Sequence, residues 1–203
     1  MKRHVVIFAR TPQAGRVKRR LAASIGALAA SRFYRALLAG QIGRLSLDRR
    51  WTVWICATPD SSLDHPVWRR VPRARRVGQA DGDLGRRMAR ALRSLPPGPA
   101  VLVGSDIPAL RSVHVARAFA LLGRHDLVFG PATDGGFWLV GARRVRPLPY
   151  RLFAGARWST PHALADVLAG IPAGQSVALS DALDDIDDIH DFERVAGPFR
   201  SQA

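Results

Sequence analysis

Cysteine is nearly missing from this chain, with Cys56 alone among 203 residues. A single thiol excludes an internal disulfide framework and any multi-cysteine metal site, and it suits a reducing compartment. Lysine is almost as scarce. Lys2 and Lys18 are the only two, so nearly all of the 31 basic residues are arginine. Set against 16 acids they give a formal net charge of +15, a value that can mark a nucleic-acid binder. The arginines scatter from Arg3 to Arg200 with few interleaved aromatics, which reads as a basic solvated surface and argues against a nucleic-acid partner. A phosphate-rich small ligand remains compatible with it. No apolar run approaches the length of a membrane span. The opening run Val5–Phe8 is too short for a signal-peptide core, so a soluble, cytoplasmic protein without membrane contact is expected. Familiar catalytic signatures are missing too. There is no G-x-x-x-x-G-K-[ST] phosphate loop, no G-x-G-x-x-G fingerprint, no G-x-S-x-G elbow, and no H-x-x-x-H spacing among the six histidines.

What is present alternates between short apolar runs and helical periodicity, the pattern of an α/β protein. Hydrophobic content of 47% in 203 residues fits one domain over 1–203 with a full core. Apolar runs at Val5–Ala9, Trp51–Ala57, Val101–Val103, Asp126–Gly130 and Phe137–Gly141 predict strands, with shorter ones at Arg75–Gln79 and Ser176–Leu179. Helices are predicted over Ala22–Leu47 with a break at Gly26, from Asp83 to Leu95, over Val113–Leu122, and from a Ser159-Thr160-Pro161 cap to Leu168. Leu28, Phe33, Leu37, Leu38, Ile42 and Leu45 form the apolar stripe of the first. Trp68 and Cys56 read as packing residues.

Five polar stretches stand out. Asp106 follows the Val101–Gly104 strand, and a carboxylate there points into the crevice where open α/β sheets bind ligands. The loop after the first strand, Arg10 to Arg20, crowds Arg10, Arg16, Lys18, Arg19 and Arg20 around Gly15; arginine forks and a lysine point charge suit polyphosphate. In Gln79–Met88, Gly82 and Gly85 could let backbone amides approach a flat ligand, Gln79 could bond the edge of a base, and Asp83 could instead be a helix cap. Asp134-Gly135-Gly136 is either a hairpin turn or a floor for substrate. Late in the chain Asp181, Asp184, Asp185, Asp187, Asp188 and Asp191 crowd one segment. Helix-dipole capping explains Asp188 and Asp191 but not so many acids.

Transfer of a group away from a nucleotide requires the departing phosphate charge to be neutralised, which Mg²⁺ (or Mn²⁺) does with one or two carboxylates. Asp106 and Asp187, opposite the basic loop, meet that need. The motifs FxRxPxxGxVKxRL at Phe8–Leu21, GDLGxRM at Gly82–Met88, GSDxP at Gly104–Pro108, GPAxDGGFxLxG at Gly130–Gly141 and DxDxxxD at Asp185–Asp191 together resemble the GT-A-like bacterial glycosyltransferase family of unknown function. That family is distantly related to molybdenum-cofactor guanylyltransferase and 2-phospho-lactate guanylyltransferase. The chain departs from its pattern at Arg19, where threonine is usual, and at Ile107, where cysteine is common.

The resemblance implies a three-layer α/β/α sandwich with a mostly parallel sheet, of the nucleotide-diphospho-sugar transferase type. It implies phosphate binding by Arg10, Lys18 and Arg20, a base near Gln79 and Gly85, and a metal on Asp106 with Asp187 or, one register step away, Asp185. Asp134, Gly135 and Gly136 would face the acceptor, with Lys18, Asp106 and Asp134 the catalytic set. The implied partners are a nucleotide or nucleotide-sugar and a small-molecule acceptor. Nucleotidyl transfer from an NTP to a phosphorylated or sugar-like acceptor, glycosyl transfer from a nucleotide-sugar, and a non-enzymatic nucleotide- or nucleic-acid-binding role all stay open at this point.

Overall fold

The computed structural model describes residues 1–70 and 74–196. Seven strands form one sheet: β1 (His4–Arg10), β2 (Thr52–Thr58), β3 (Arg75–Gly78), β4 (Ala100–Gly104), β5 (Leu127–Pro131), β6 (Phe137–Ala142) and β7 (Val177–Leu179). Their order is β3-β2-β1-β4-β6-β5-β7. All neighbours pair parallel except at β6, which runs antiparallel to both β4 and β5. The carboxyl ends of β1, β2, β4 and β5 therefore lie along one edge, and the β5–β6 turn lies there with them. This is the expected mostly parallel sheet.

Burial on both faces explains why these strands read as unbroken apolar runs. Val5, Ile7, Val53, Ile55, Val101 and Val103 belong to one core, and the alternate residues Val6, Trp54, Cys56 and Leu102 belong to the other. Helices α2 (Ala27–Ser46) and α4 (Ser112–Leu121) cover the first face; α3 (Leu84–Ser94) and α5 (Ala163–Ala169) cover the second. The layers are thus helix, sheet, helix. A small third cluster joins α1 (Arg19–Ile25) to α6 (Ile189–Ala196) through Leu21, Ala30 and Ile186, with Phe33 and Phe192 edge to face at 4.9 Å.

Two local expectations need correction. Leu28 does not join the apolar stripe of α2; it is exposed. The buried face runs through Tyr34, Leu38, Gln41, Ile42 and Leu45, and Leu28 sits a quarter turn away from it. The second concerns α5, which no serine or threonine caps: it starts at Ala163 behind His162, without a side-chain cap. Thr160 spends its hydroxyl on the Arg157 carbonyl at 2.8 Å. The Leu164 amide donates instead to the Gly135 carbonyl at 3.0 Å, so the β5–β6 turn satisfies a first-turn N–H group that the helix leaves open.

Candidate active site

The site is built on the carboxyl edge of β1 and β4. After Gly104 the chain turns, and two buried groups of α2 hold the turn. Gln41 Nε2 donates to the Gly104 carbonyl at 2.6 Å. The Tyr34 hydroxyl shares a 2.8 Å hydrogen bond with Ser105 and accepts the Arg10 backbone N–H at 3.2 Å. Tyr34 thus ties the end of β1 to the residue before Asp106, and burial pushes its phenol up to about 12.

The late acidic segment folds back onto this edge. Ile186 N–H donates to the Asp106 carbonyl and Leu21 N–H to the Asp187 carbonyl, at 3.2 and 3.1 Å, while the Ile186 side chain is buried between α1 and α2. Each of the six acids then has its own setting. Asp181 pairs with Arg117 at 2.9 Å. Asp184 accepts from the Thr133 amide and hydroxyl at 3.0 and 2.7 Å. Asp188 accepts from the His190 and Asp191 amides at the start of α6 and pairs with Arg20 at 2.7 Å. Asp191 accepts from the Asp187 amide at 2.9 Å. Asp185 and Asp187 remain, and both converge on Asp106. One carboxylate oxygen from each of the three lies within 4.8 Å of the others.

Lys18 closes the group. Its backbone is left-handed, φ +46°, which turns the side chain inward, and its Nζ donates to Asp106 Oδ2 at 2.5 Å and Asp187 Oδ1 at 2.7 Å. Burial alone would lower its pKa, but the two carboxylates outweigh that and raise it. Among the described residues Asp185 has no hydrogen-bonded cation, and the nearby Lys18 charge only partly offsets its surroundings. Burial first, then Asp106 and Asp187, push it up to about 7. Three converging oxygen donors with one acid held against ionisation form a set that a hard divalent cation would satisfy.

Two clefts meet at these acids. The first, about 700 Å³, is lined by Arg10, Arg16, Lys18, Arg19 and Arg20 as well as Gln79, Arg87 and Asp106. A pocket of about 430 Å³ continues it past Gly15, Gln13 and Thr58. The second cleft, about 490 Å³, contains Asp134, Gly136, Asp185, Phe137 and Trp158 and shares Asp106 and Asp187 with the first.

The sequence-derived candidates thus gather closely, with exceptions of position. Gln79 lines the first cleft, but its amide is already used: Nε2 donates to the Ala9 and Cys56 carbonyls at 3.0 and 2.9 Å, and Oε1 accepts from Arg87 at 2.8 Å. It staples β1 to β2 and aims Arg87, and it does not present a free edge to a base. Gly82 is exposed with φ +117° and lines neither cleft. Gly85 is buried, and a Cβ there would stand 2.6 Å from Phe153 and 2.8 Å from Trp158; close packing excludes a side chain. Asp134-Gly135-Gly136 is the β5–β6 hairpin, with Asp134 Oδ1 accepting the Gly136 N–H at 2.8 Å, and it borders the second cleft. Gly135 lies under it, its φ +84° and a Pro161 carbonyl 2.1 Å from any Cβ excluding other residues.

Arg87, the arginine of the GDLGxRM motif, joins the site although the motif reading gives it no role. It faces the first cleft, held by Gln79 and lying 6.0 Å over the Phe8 ring. Its signal was available, since it sits one turn into the helix that the glycine-rich loop opens.

The sheet order, the covered faces and the ligand edge define a nucleotide-diphospho-sugar transferase fold. The chain belongs to the bacterial family described as "Uncharacterized protein conserved in bacteria (DUF2064)", whose profile matches residues 41–160. Among solved structures it is similar to a provisionally assigned nucleotide-diphospho-sugar transferase from Desulfovibrio desulfuricans G20. The two are 26% identical with a TM-score of 0.86, over 100% of this chain and 90% of that one. The fold also matches CMP:2-keto-3-deoxy-manno-octonic acid synthetase complexed with CTP, at 13% identity and TM-score 0.59, over 96% of this chain and 97% of that one. Glucosyl-3-phosphoglycerate synthase from Mycobacterium tuberculosis, in complex with Mn²⁺ and UDP, follows at 12% and 0.57, over 94% and 74%. No curated protein matches the chain. The resemblance read from the motifs is borne out in both family and fold.

Proposed function

We propose that this protein is a divalent-metal-dependent transferase that moves a nucleotidyl group from an NTP to a phosphorylated or sugar-like acceptor. The observation that carries this reading is the cationic cleft at the end of β1, which runs into the group Asp106–Asp185–Asp187. A triphosphate needs fixed cations along its length, and a leaving pyrophosphate needs them most. Arg10, Arg16 and Arg20 bind and orient the phosphates as forks, and Lys18 supplies a buried point charge at the seam of the two clefts. Asp106, Asp187 and Asp185 are the residues that would hold Mg²⁺ or Mn²⁺. Such an ion supplies charge neutralisation at the phosphate oxygens. Arg87, aimed by Gln79, lies on the nucleotide side, and Leu84 lines both clefts. No nucleophilic side chain is required: Cys56 is buried in β2 and its thiol is pushed up to about 12, which keeps it protonated and inert.

Glycosyl transfer from a nucleotide-sugar is the second reading, favoured by the name given to the Desulfovibrio relative. Incubation with each NTP, Mg²⁺ and candidate acceptors separates the two. Pyrophosphate release supports nucleotidyl transfer, and release of NDP from a nucleotide-sugar supports glycosyl transfer. A nucleotide- or nucleic-acid-binding protein without catalysis would give neither. Among the described residues no helix is long and apolar enough to cross a membrane.

A further inference from the structure

The two clefts differ sharply in charge. The first is lined by six cations, Arg10, Arg16, Lys18, Arg19, Arg20 and Arg87. Among the described residues the wall of the second carries four carboxylates, Asp106, Asp134, Asp185 and Asp187, and a single cation, Arg20. Arg20 already pairs with Asp188 at 2.7 Å. Because the clefts share Asp106 and Asp187, the change of sign falls at the seam where a group would be passed. Lys18, shared by Asp106 and Asp187 at 2.5 and 2.7 Å, and a divalent ion on the seam together offset three of the four negative charges, and Asp134 stands outside both. The remainder of the second wall is apolar, with Met88, Ile107, Phe137, Trp138 and Trp158. Its aromatic part is fixed by packing: Phe137 meets Trp158 edge to face at 6.2 Å and stacks on Phe153 at 6.4 Å.

We infer that the acceptor is an uncharged polyhydroxylated ring, a sugar or a cyclitol, and that phosphorylated acceptors are rejected. This rests on the transferase reading for where the reaction occurs, and it removes half of the acceptor class that reading allows. A phosphomonoester at neutral pH carries nearly two negative charges. Against this wall it meets like charge and, among the described residues, no uncommitted guanidinium, an arrangement that serves to exclude wrong partners. A hydroxylated ring fits both halves of the wall. Its apolar face covers the Trp158–Phe137 surface, and its hydroxyls donate to carboxylates, which only accept. In the transfer step an acceptor hydroxyl oxygen forms the new bond to the α-phosphorus. The bond from that phosphorus to the bridging oxygen breaks, and its electron pair leaves with pyrophosphate. The hydroxyl proton passes to Asp134, the acid of this cleft that stands outside the Asp106–Asp185–Asp187 group.

The test is calorimetric titration of the full chain with Mg²⁺ and a non-hydrolysable NTP analogue, using a panel of hexoses, pentoses and cyclitols beside glucose 1-phosphate and glucose 6-phosphate. At least one neutral ring is expected to bind at millimolar concentration or tighter, with the phosphorylated sugars weaker by about tenfold or more. Asp134→Asn should narrow that gap, and Trp158→Ala should abolish neutral-ring binding while circular dichroism stays unchanged. Phosphorylated sugars binding as tightly as the neutral rings would overturn the inference, and so would a panel in which no neutral ring binds. Failure of the underlying transferase reading shows separately, as absent binding in the preceding titration of the nucleotide analogue with Mg²⁺.

Discussion

Lys18 Nζ lies 2.5 Å from Asp106 Oδ2 although 88 residues separate them. The same ammonium reaches Asp187, from the last segment of the chain, at 2.7 Å. Lys18 therefore joins the basic loop, the central strand edge and the late acids at one point, and its side chain is only 5% exposed. Lys18→Met leaves two carboxylates facing each other with Asp185 beside them. The variant is expected to melt below the wild type in metal-free buffer and to recover more of the loss on adding Mg²⁺ than the wild type gains. Turnover should fall by about 10²-fold or more even with the metal present, as for other losses of a fixed positive charge at a transferring phosphate. Thermal denaturation with and without Mg²⁺, alongside a pyrophosphate-release assay, checks both parts.

The pH dependence of stability follows from Asp185. Its carboxyl is raised from 3.8 to about 7 in the native protein, so between those values the native state holds a proton that the unfolded chain has released. Unfolding free energy from this group accordingly falls as pH rises from about 4 to about 7. Asp185→Asn is expected to flatten that slope, and so is saturating Mg²⁺, which takes the ionised form. Urea titrations across this range, read at each pH, measure it.

Gln79 gives a prediction that separates a staple from a reader of bases. Gln79→Ala removes three hydrogen bonds among buried groups and should cost roughly 1–3 kcal/mol of stability. It should also weaken nucleotide binding through the loosened Arg87. Preference among the four NTPs is expected to stay as it was. Competition binding with ATP, GTP, CTP and UTP tests this.

Gly135→Ala would force a Cβ against the Pro161 carbonyl at a left-handed backbone position. A loss of about 1–3 kcal/mol is expected, together with fraying of α5, whose Leu164 amide depends on the Gly135 carbonyl. Chemical denaturation and amide exchange at Leu164 report on the two effects.

Much of this was legible in the sequence because the strands are buried on both faces and flanked by glycine and proline. Val101–Gly104 followed by Asp106 announces both a central strand and its ligand edge. The unresolved choice between Asp185 and Asp187 was a question of register that no local pattern decides. Here the segment is pinned by Ile186, whose amide bonds to the Asp106 carbonyl while its side chain enters the α1–α2 cluster, and both acids end at the same point. Gln79 and Gly85 show a related limit. A polar side chain in a loop and a glycine at a helix start look like ligand contacts until the elements packed above them, Ala9, Cys56, Phe153 and Trp158, are in place. Leu28 shows the limit of periodicity near a helix end, where a residue can match the spacing and still face solvent.

The central claim is that Asp106, Asp185 and Asp187 act together as the metal-holding end of a nucleotide site. Mn²⁺ binding in the presence of an NTP, followed by electron paramagnetic resonance, measures it most directly on the wild type, Asp106→Asn and Asp187→Asn. The account predicts one bound ion per chain in the wild type and a loss of affinity of about tenfold or more in each variant, with the fold intact. Unchanged Mn²⁺ affinity in both variants would contradict it.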